Sequence, residues 1–270
     1  MKSYLLALVS IALISLFACG DPNGANSPQV EDNSDNRQFY QLKTYEFSSD
    51  EQLATTETYL KDAYLPALKR QGINQVGVFR FREGDTDSLK KLMVLIPFSS
   101  INDFLKLETS VMSDQAHQTA GAAYLDAPHD NKPYERVSSV IMKAFVDHPQ
   151  MATPNLDGER ANRVYELRSY ESATEKYYMK KVDMFNAGGE VKLFDRLNFN
   201  AVFYGEVLSG DKMPNLMYMT TFPNRTVRDS LWKEFFASPE WTVLKGMEKY
   251  KNTVSHADIY FLYPTEYSDY

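Results

Sequence analysis

Cysteine is almost missing from this chain: one in 270 residues, at Cys19. A single thiol excludes internal disulfides and cysteine-built metal clusters. Histidine is also scarce. His117, His129, His148 and His256 fall into no HxH or HExxH spacing, so no dedicated metal site is expected. Basic clusters are lacking and the formal net charge is −7, which argues against a nucleic-acid backbone as partner. There is no phosphate-cradling glycine loop, and no recognisable Ser-His-Asp order. What is plentiful is aromatic: 18 Tyr and 16 Phe, against an ordinary 43% hydrophobic and 24% charged content. Such an excess points to aromatic-rich cores and an aromatic-lined cavity.

The long apolar run lies at the N-terminus. Lys2 supplies a positive start and residues 5–17 are apolar over a length too short to span a bilayer comfortably. The run ends in Leu16-Phe17-Ala18-Cys19, which resembles the lipobox of bacterial lipoproteins, with Phe17 an unusual occupant of its position. That resemblance implies cleavage before Cys19 and lipidation of its thiol. A plain secretory signal with a chance cysteine is the competing reading. Residues 1–19 are therefore expected to be a signal peptide. Residues 20–37, made of Gly, Pro, Asn, Ser and acids, are expected to form a flexible tether. Gly20, in place of Asp, looks like the outer-membrane sorting pattern. The implied partner is a lipid bilayer, and the implied location is the outer membrane, facing the periplasm or the surface.

The remaining sequence repeats. Phe39-Tyr40-Gln41-Leu42-Lys43-Thr44-Tyr45-Glu46 returns 125 positions later as Val164-Tyr165-Glu166-Leu167-Arg168-Ser169-Tyr170-Glu171. Both copies alternate as strands do. In the first half, strands are expected at 39–46, about 76–79, 92–98 and 137–145, with a turn at Glu83-Gly84-Asp85. Helices follow the cap oxygens offered by Ser48, Ser49 and Asp50 and the Ser100/Asp103 pair, and a loop with Pro128 and Pro133 leads to the fourth strand. In the second half, strands are expected at 164–171, 200–207, 216–222 and 254–262, and helices at 174–187, 190–196 and from about 228 onward. Each half reads β-α-β-β-α-β. The expected fold class is α+β: two tandem ferredoxin-like domains, 38–150 and 162–270, joined by a linker at 151–161.

Two helices cover one face of each four-stranded sheet, so the other face needs a partner. Tyr165, Leu167 and Ser169 lie on one side of their strand, and Glu166, Arg168 and Tyr170 on the other. The apolar set is expected to meet the helices. The polar set, with Gln41, Lys43 and Tyr45 from the first copy, would then face an enclosed barrel. Arg168 could pair with a ligand carboxylate and Tyr170 could stack on it. An internal Arg–Glu pair that fixes sheet register is the competing reading. Gly188-Gly189 ahead of Glu190 allows either close backbone approach to a ligand or a helix cap. His256, at the start of the last strand, is a candidate base or haem ligand, although lone histidines are commonly structural. Asn224-Arg225-Thr226 matches a glycosylation acceptor and is read instead as a helix start.

The runs Tyr165-Glu166-Leu167-Arg168-Ser169-Tyr170, Met184-Phe185-Asn186-Ala187-Gly188-Gly189-Glu190 and Val202-Phe203-Tyr204-Gly205-Glu206 resemble the NIPSNAP family. Pro214-Asn215-Leu216-Met217-Tyr218-Met219, the helix from Arg228 to Trp241 and the ending Tyr263-Pro264, Tyr267-Ser268 continue the likeness. The first half resembles it more loosely. The resemblance implies the dimeric α+β barrel fold, here formed within one chain, whose wider superfamily includes cofactor-free monooxygenases and haem-binding enzymes. Fold alone does not choose among them. The leading expectation is a protein that binds a small apolar or aromatic ligand inside the barrel, lined by Glu166, Arg168, Tyr170, Lys43 and Tyr45, without a cofactor. The rival is a cofactor-independent monooxygenase or a haem-handling enzyme using His256, with Arg168 and Glu190 around the substrate. A barrel packed shut, with a purely structural role, is the third reading, and a higher oligomer is left open.

Overall fold

The structure is a computed structural model that describes residues 36–82 and 90–270. The signal segment with Cys19, the tether as far as residue 35, and the turn at Glu83-Gly84-Asp85 lie outside the described residues. Residues 36–270 form one compact unit. Arg37, expected in the tether, already belongs to it: its guanidinium pairs with Glu206 at 3.1 Å and reaches the Ala144 carbonyl.

The first half runs β1 (Phe39–Phe47), α1 (Asp50–Tyr59), a π-helical turn (Leu60–Tyr64), α2 (Leu65–Arg70), β2 (Gly77–Phe81), β3 (Lys90–Phe98), α3 (Ile101–Met112), α4 (Gln115–Leu125) and β4 (Arg136–Ala144). The second half runs β5 (Val164–Glu171), α5 (Glu175–Phe185), α6 (Glu190–Arg196), β6 (Phe203–Ser209), β7 (Asn215–Phe222), α7 (Arg225–Ala237), α8 (Pro239–Gly246) and β8 (His256–Pro264). Side-chain caps set several helix starts. Ser49 accepts from the Gln52 amide, Ser100 from that of Asp103, and Asn224 from that of Val227. Asn224 thus begins α7 as expected.

The expected loop before β4 instead contains α4. Its sequence is small and polar, with Gly121 inside it, so no apolar stripe announces a helix. Asp114 starts it by accepting from the Ala116 and His117 amides at 2.9 and 3.2 Å. Gly121 lets it settle on α1, because a Cβ there would lie 3.1 Å from the Tyr59 ring.

Among the described residues, eight antiparallel strands close into a barrel in the order β1-β3-β2-β8-β5-β7-β6-β4. Each half contributes four contiguous strands, β4-β1-β3-β2 and β8-β5-β7-β6. The halves are zipped along two seams. In one, Phe79 of β2 faces Pro264 of β8; in the other, Lys143 of β4 faces Glu206 of β6.

The interior of this barrel corrects the expected orientation of its strands. Buried side chains from every strand meet there in one cluster, among them Tyr40, Leu95, Met142, Tyr165, Met219 and Leu262. At the end where β1 and β5 begin, Met151, Leu156 and Tyr270 pack into the same cluster. The apolar set of β1 and β5 therefore points inward. Glu166, Arg168, Tyr170, Lys43 and Tyr45 point outward, under the helices, and do not line the barrel interior. The reason is charge. Strands on every side offer an interior carboxylate no countercharge, whereas the helix layer can supply one, and an unpaired buried charge costs several kcal/mol. The expected ligand chamber inside the barrel is likewise overturned. It is filled by its own side chains, and only a mouth of about 160 Å³ remains at the end where β1 and β5 finish.

Candidate functional site

The outer face of β5 is a closed electrostatic lock. Glu166 is fully buried, and each of its oxygens is used twice. Oε1 accepts from Arg168 Nε at 2.7 Å and Arg228 Nη2 at 2.8 Å. Oε2 accepts from Arg228 Nε at 2.7 Å and Trp232 Nε1 at 3.0 Å. Arg168 lies flat on Trp232, 3.8 Å from its ring centroid, and donates to Tyr170 Oη, which meets Tyr218 Oη at 2.9 Å. Burial alone would raise the Glu166 carboxyl, but Arg228 and Arg168 more than offset it and hold it below the usual carboxylate range. No acceptor is left over for a ligand. This is the internal Arg–Glu pair, completed by α7.

Glu190 is buried as well. Its carboxylate takes Lys181 Nζ at 2.8 Å, and that ammonium sits 4.6 Å from the Phe185 ring centroid. The two glycines before it serve the helix, not a ligand. Gly189 adopts φ +86°, and a Cβ on Gly188 would strike the Met184 carbonyl oxygen at 2.5 Å. His256 is placed on the barrel rim with its side chain 59% exposed, bonded to Asp258 Oδ1 at 3.1 Å. It looks into no enclosed apolar space of the kind a haem would fill.

The corresponding face of the first half is built differently. Gln41, Lys43 and Tyr45 occupy the positions of Glu166, Arg168 and Tyr170. Gln41 is spent on Ser139 Oγ at 2.9 Å. Counted from the helix caps, Trp232 stands eight residues past Asn224, and eight past Ser100 α3 carries Glu108, a smaller and exposed side chain. The space it leaves is a cleft of about 410 Å³ between sheet and helices, reached by Lys43, Tyr45, Leu107, Glu108, Tyr124 and Tyr134 among others. Lys43 Nζ stands 5.1 Å and 5.6 Å from the Tyr64 and Tyr45 ring centroids, and among the described residues it forms no salt bridge. Tyr59 and Tyr124 stack in parallel at 3.8 Å, and Tyr59 Oη meets His117 Nε2 at 3.0 Å.

Burial drives the titration of this cluster. The Tyr64 hydroxyl is pushed up to about 12 by desolvation, which Lys43 partly opposes, and Tyr45, Tyr59 and Tyr124 are raised by the same burial. Burial likewise pushes His117 down, toward its neutral form. The cleft therefore offers neutral phenols and flat aromatic faces beside the Lys43 cation, with the Glu108 carboxylate and the Glu135-paired Lys132 also in its lining. Lys43 and Tyr45 were legible from the repeat. Tyr59, Tyr64, Glu108 and Tyr124 were not, because they come from helices, of which α4 was unexpected, and Tyr134 comes from the loop between α4 and β4. The Glu108-for-Trp232 exchange, counted from the caps at Ser100 and Asn224, is the sequence signal that could have pointed to the cleft.

Comparison with known proteins agrees with this architecture. Residues 165–269 match the NIPSNAP family model. Among solved structures, a candidate monooxygenase from Lactobacillus acidophilus is similar at 10% identity, with a TM-score of 0.54, over 84% of this chain and 94% of that one. Another, from Fusobacterium nucleatum, is similar at 10% identity, with a TM-score of 0.50, over 84% and 92%. A NIPSNAP family protein of unknown function from Agrobacterium tumefaciens is 18% identical over 40% of this chain and 88% of its own, at a TM-score of 0.32. No curated protein sequence matches. At such identities the likeness is one of fold, that of the dimeric α+β barrels. Over residues 165–269, the second half of this chain is thus similar to the NIPSNAP family.

Proposed function

We propose that this chain binds a small aromatic molecule bearing an anionic or strongly accepting oxygen, held in the tyrosine cleft of the first half. The observation that carries this reading is Lys43: a cation without a carboxylate partner among the described residues, set in a cleft of about 410 Å³. An aromatic ring stacked on the tyrosines would bury apolar surface at ~25 cal/mol per Å², and its oxygen would complete Lys43. The aromatic class of ligand is the one the composition pointed to; its place moves from the barrel interior to the helix–sheet layer.

The finer architecture belongs to the same reading. The halves are tandem ferredoxin-like units of one repeat, residues 38–150 and 162–270, held outside the inner membrane by acylated Cys19 and the tether, at the outer membrane. Radioactive palmitate labelling tests the anchor: it should mark the wild type and be lost in Cys19→Ala.

Calorimetric titration with 2-naphthoate and with uncharged 2-naphthylmethanol tests the cleft. The carboxylate should bind at least tenfold more tightly, and Lys43→Met should remove the difference. If neither compound binds, or if Lys43→Met leaves the preference intact, the cleft is not the site.

A further inference from the structure

A second site of different chemistry is carried by the barrel mouth, and it stands independently of the tyrosine cleft. β5 and β8 pair so that Glu171 faces His256 and Ser169 faces Asp258. Residues two apart on a strand share a face, so Glu171, His256 and Asp258 project together, on the side of the sheet that Ser169 and Tyr260 turn to the mouth. One ligand atom from each of the three lies within 4.8 Å of the others. Ligand atoms around a first-row cation sit ~2.0–2.2 Å from it, and hence roughly 3–4 Å apart, within reach of small side-chain rotations here. The backbone ladder fixes all three residues, so no loop must be ordered to assemble them.

A separate observation marks the same place. Asn215, the β7 neighbour of Glu171, is buried and lines the mouth. Its Nδ2 donates to Ser169 Oγ at 2.8 Å, and its Oδ1 has no hydrogen-bond partner among the described residues. A buried acceptor without a donor is costly, and water held on an ion would supply one. The carboxylate of Glu171 forms no hydrogen bond or ion pair among the described residues.

We propose that Glu171, His256 and Asp258 bind a divalent first-row cation at the mouth of the barrel, with positions left open toward Asn215. One imidazole and two carboxylates suit zinc, manganese, iron(II) or cobalt(II) better than magnesium, which prefers oxygen and retained water. Without the ion, Asp258 is shared between His256 and Lys212 Nζ, the latter at 2.5 Å. Lys212 is thus a competitor that a cation must displace.

Titration of the dialysed protein with ZnCl2, followed by calorimetry, tests this site, with CoCl2 absorption as a second readout. One equivalent should bind, and the visible bands of cobalt should report a nitrogen–oxygen ligand set. His256→Ala and Asp258→Asn should each weaken zinc at least tenfold, and Lys212→Met should tighten it several-fold. His256 is exposed, so its replacement leaves the fold intact, which an unchanged melting temperature without metal verifies. Absence of zinc binding, or zinc binding that His256→Ala leaves unchanged, overturns the proposal.

Discussion

The outer faces of β1 and β5 begin from the same alternation and end as opposites. On β5, a carboxylate, two guanidinium groups and an indole interlock until every acceptor of Glu166 is taken. On β1, glutamine replaces the carboxylate, lysine the arginine, and α3 offers Glu108 where α7 offers Trp232. The glutamine removes the anchor for a cation, and the loss of the indole removes the volume that would cover it. A cleft results without any change in the strands beneath. A stable frame can thus acquire a site by subtraction, while its twin keeps the filler and holds the shape.

Substitutions can break or sharpen that contrast, beginning with the largest. Glu166→Ala strands two buried guanidinium groups and should cost about 3–5 kcal/mol in chemical denaturation, whereas Gln41→Ala should cost about 1. Equal losses would erase the distinction between lock and cleft. The same carboxylate has an acid signature. Its folded value is lowered, so its contribution is complete above the unfolded value near ~4.3 and disappears as pH falls through the folded one. Glu166→Gln should therefore flatten the acid limb of the stability curve. Trp232→Leu, which removes the indole that fills this layer, should cost about 3 kcal/mol and open a cavity that binds an apolar dye.

Smaller effects sharpen the comparison further. Gly188→Ala, which drives a methyl against the Met184 carbonyl, should cost ~1–3 kcal/mol by thermal melting. Leu107→Trp, which fills the cleft from α3, should change stability by ~1–3 kcal/mol at most while abolishing naphthoate binding. Lys43→Met should leave stability within about 1 kcal/mol, because the ammonium has no salt bridge to lose, yet it should reduce affinity for the carboxylate tenfold. If Leu107→Trp still bound naphthoate, the pocket would lie elsewhere.

Much of the frame could be read from the chain. The 125-residue repeat placed both copies of the first strand, and the caps at Ser49, Ser100 and Asn224 placed helix starts, since these are local signals. Which side of β5 faces inward was not local. Period-two alternation separates two faces but cannot say which layer covers each, and the deciding partners, Arg228 and Trp232, lie more than sixty residues downstream. Nor could α4 be read, because Gly121 and its small neighbours pack by closeness to Tyr59 and carry no apolar stripe. The Glu171, His256 and Asp258 group escaped for a related reason. Metal spacing rules describe one strand or one helix, and here the register between two strands brings the third ligand in.

The two seams carry an implication for how the molecule is made. β2 waits for β8 and β4 waits for β6, so a nascent chain that has emerged only as far as the connection between halves exposes two raw edges with nothing to hydrogen-bond. Closure depends on residue 264 leaving the ribosome, and until then β2 is a template for any strand that drifts past. The same arithmetic means that a nick in that connection need not be fatal, because the severed pieces would still find, in each other, the two edges they lack.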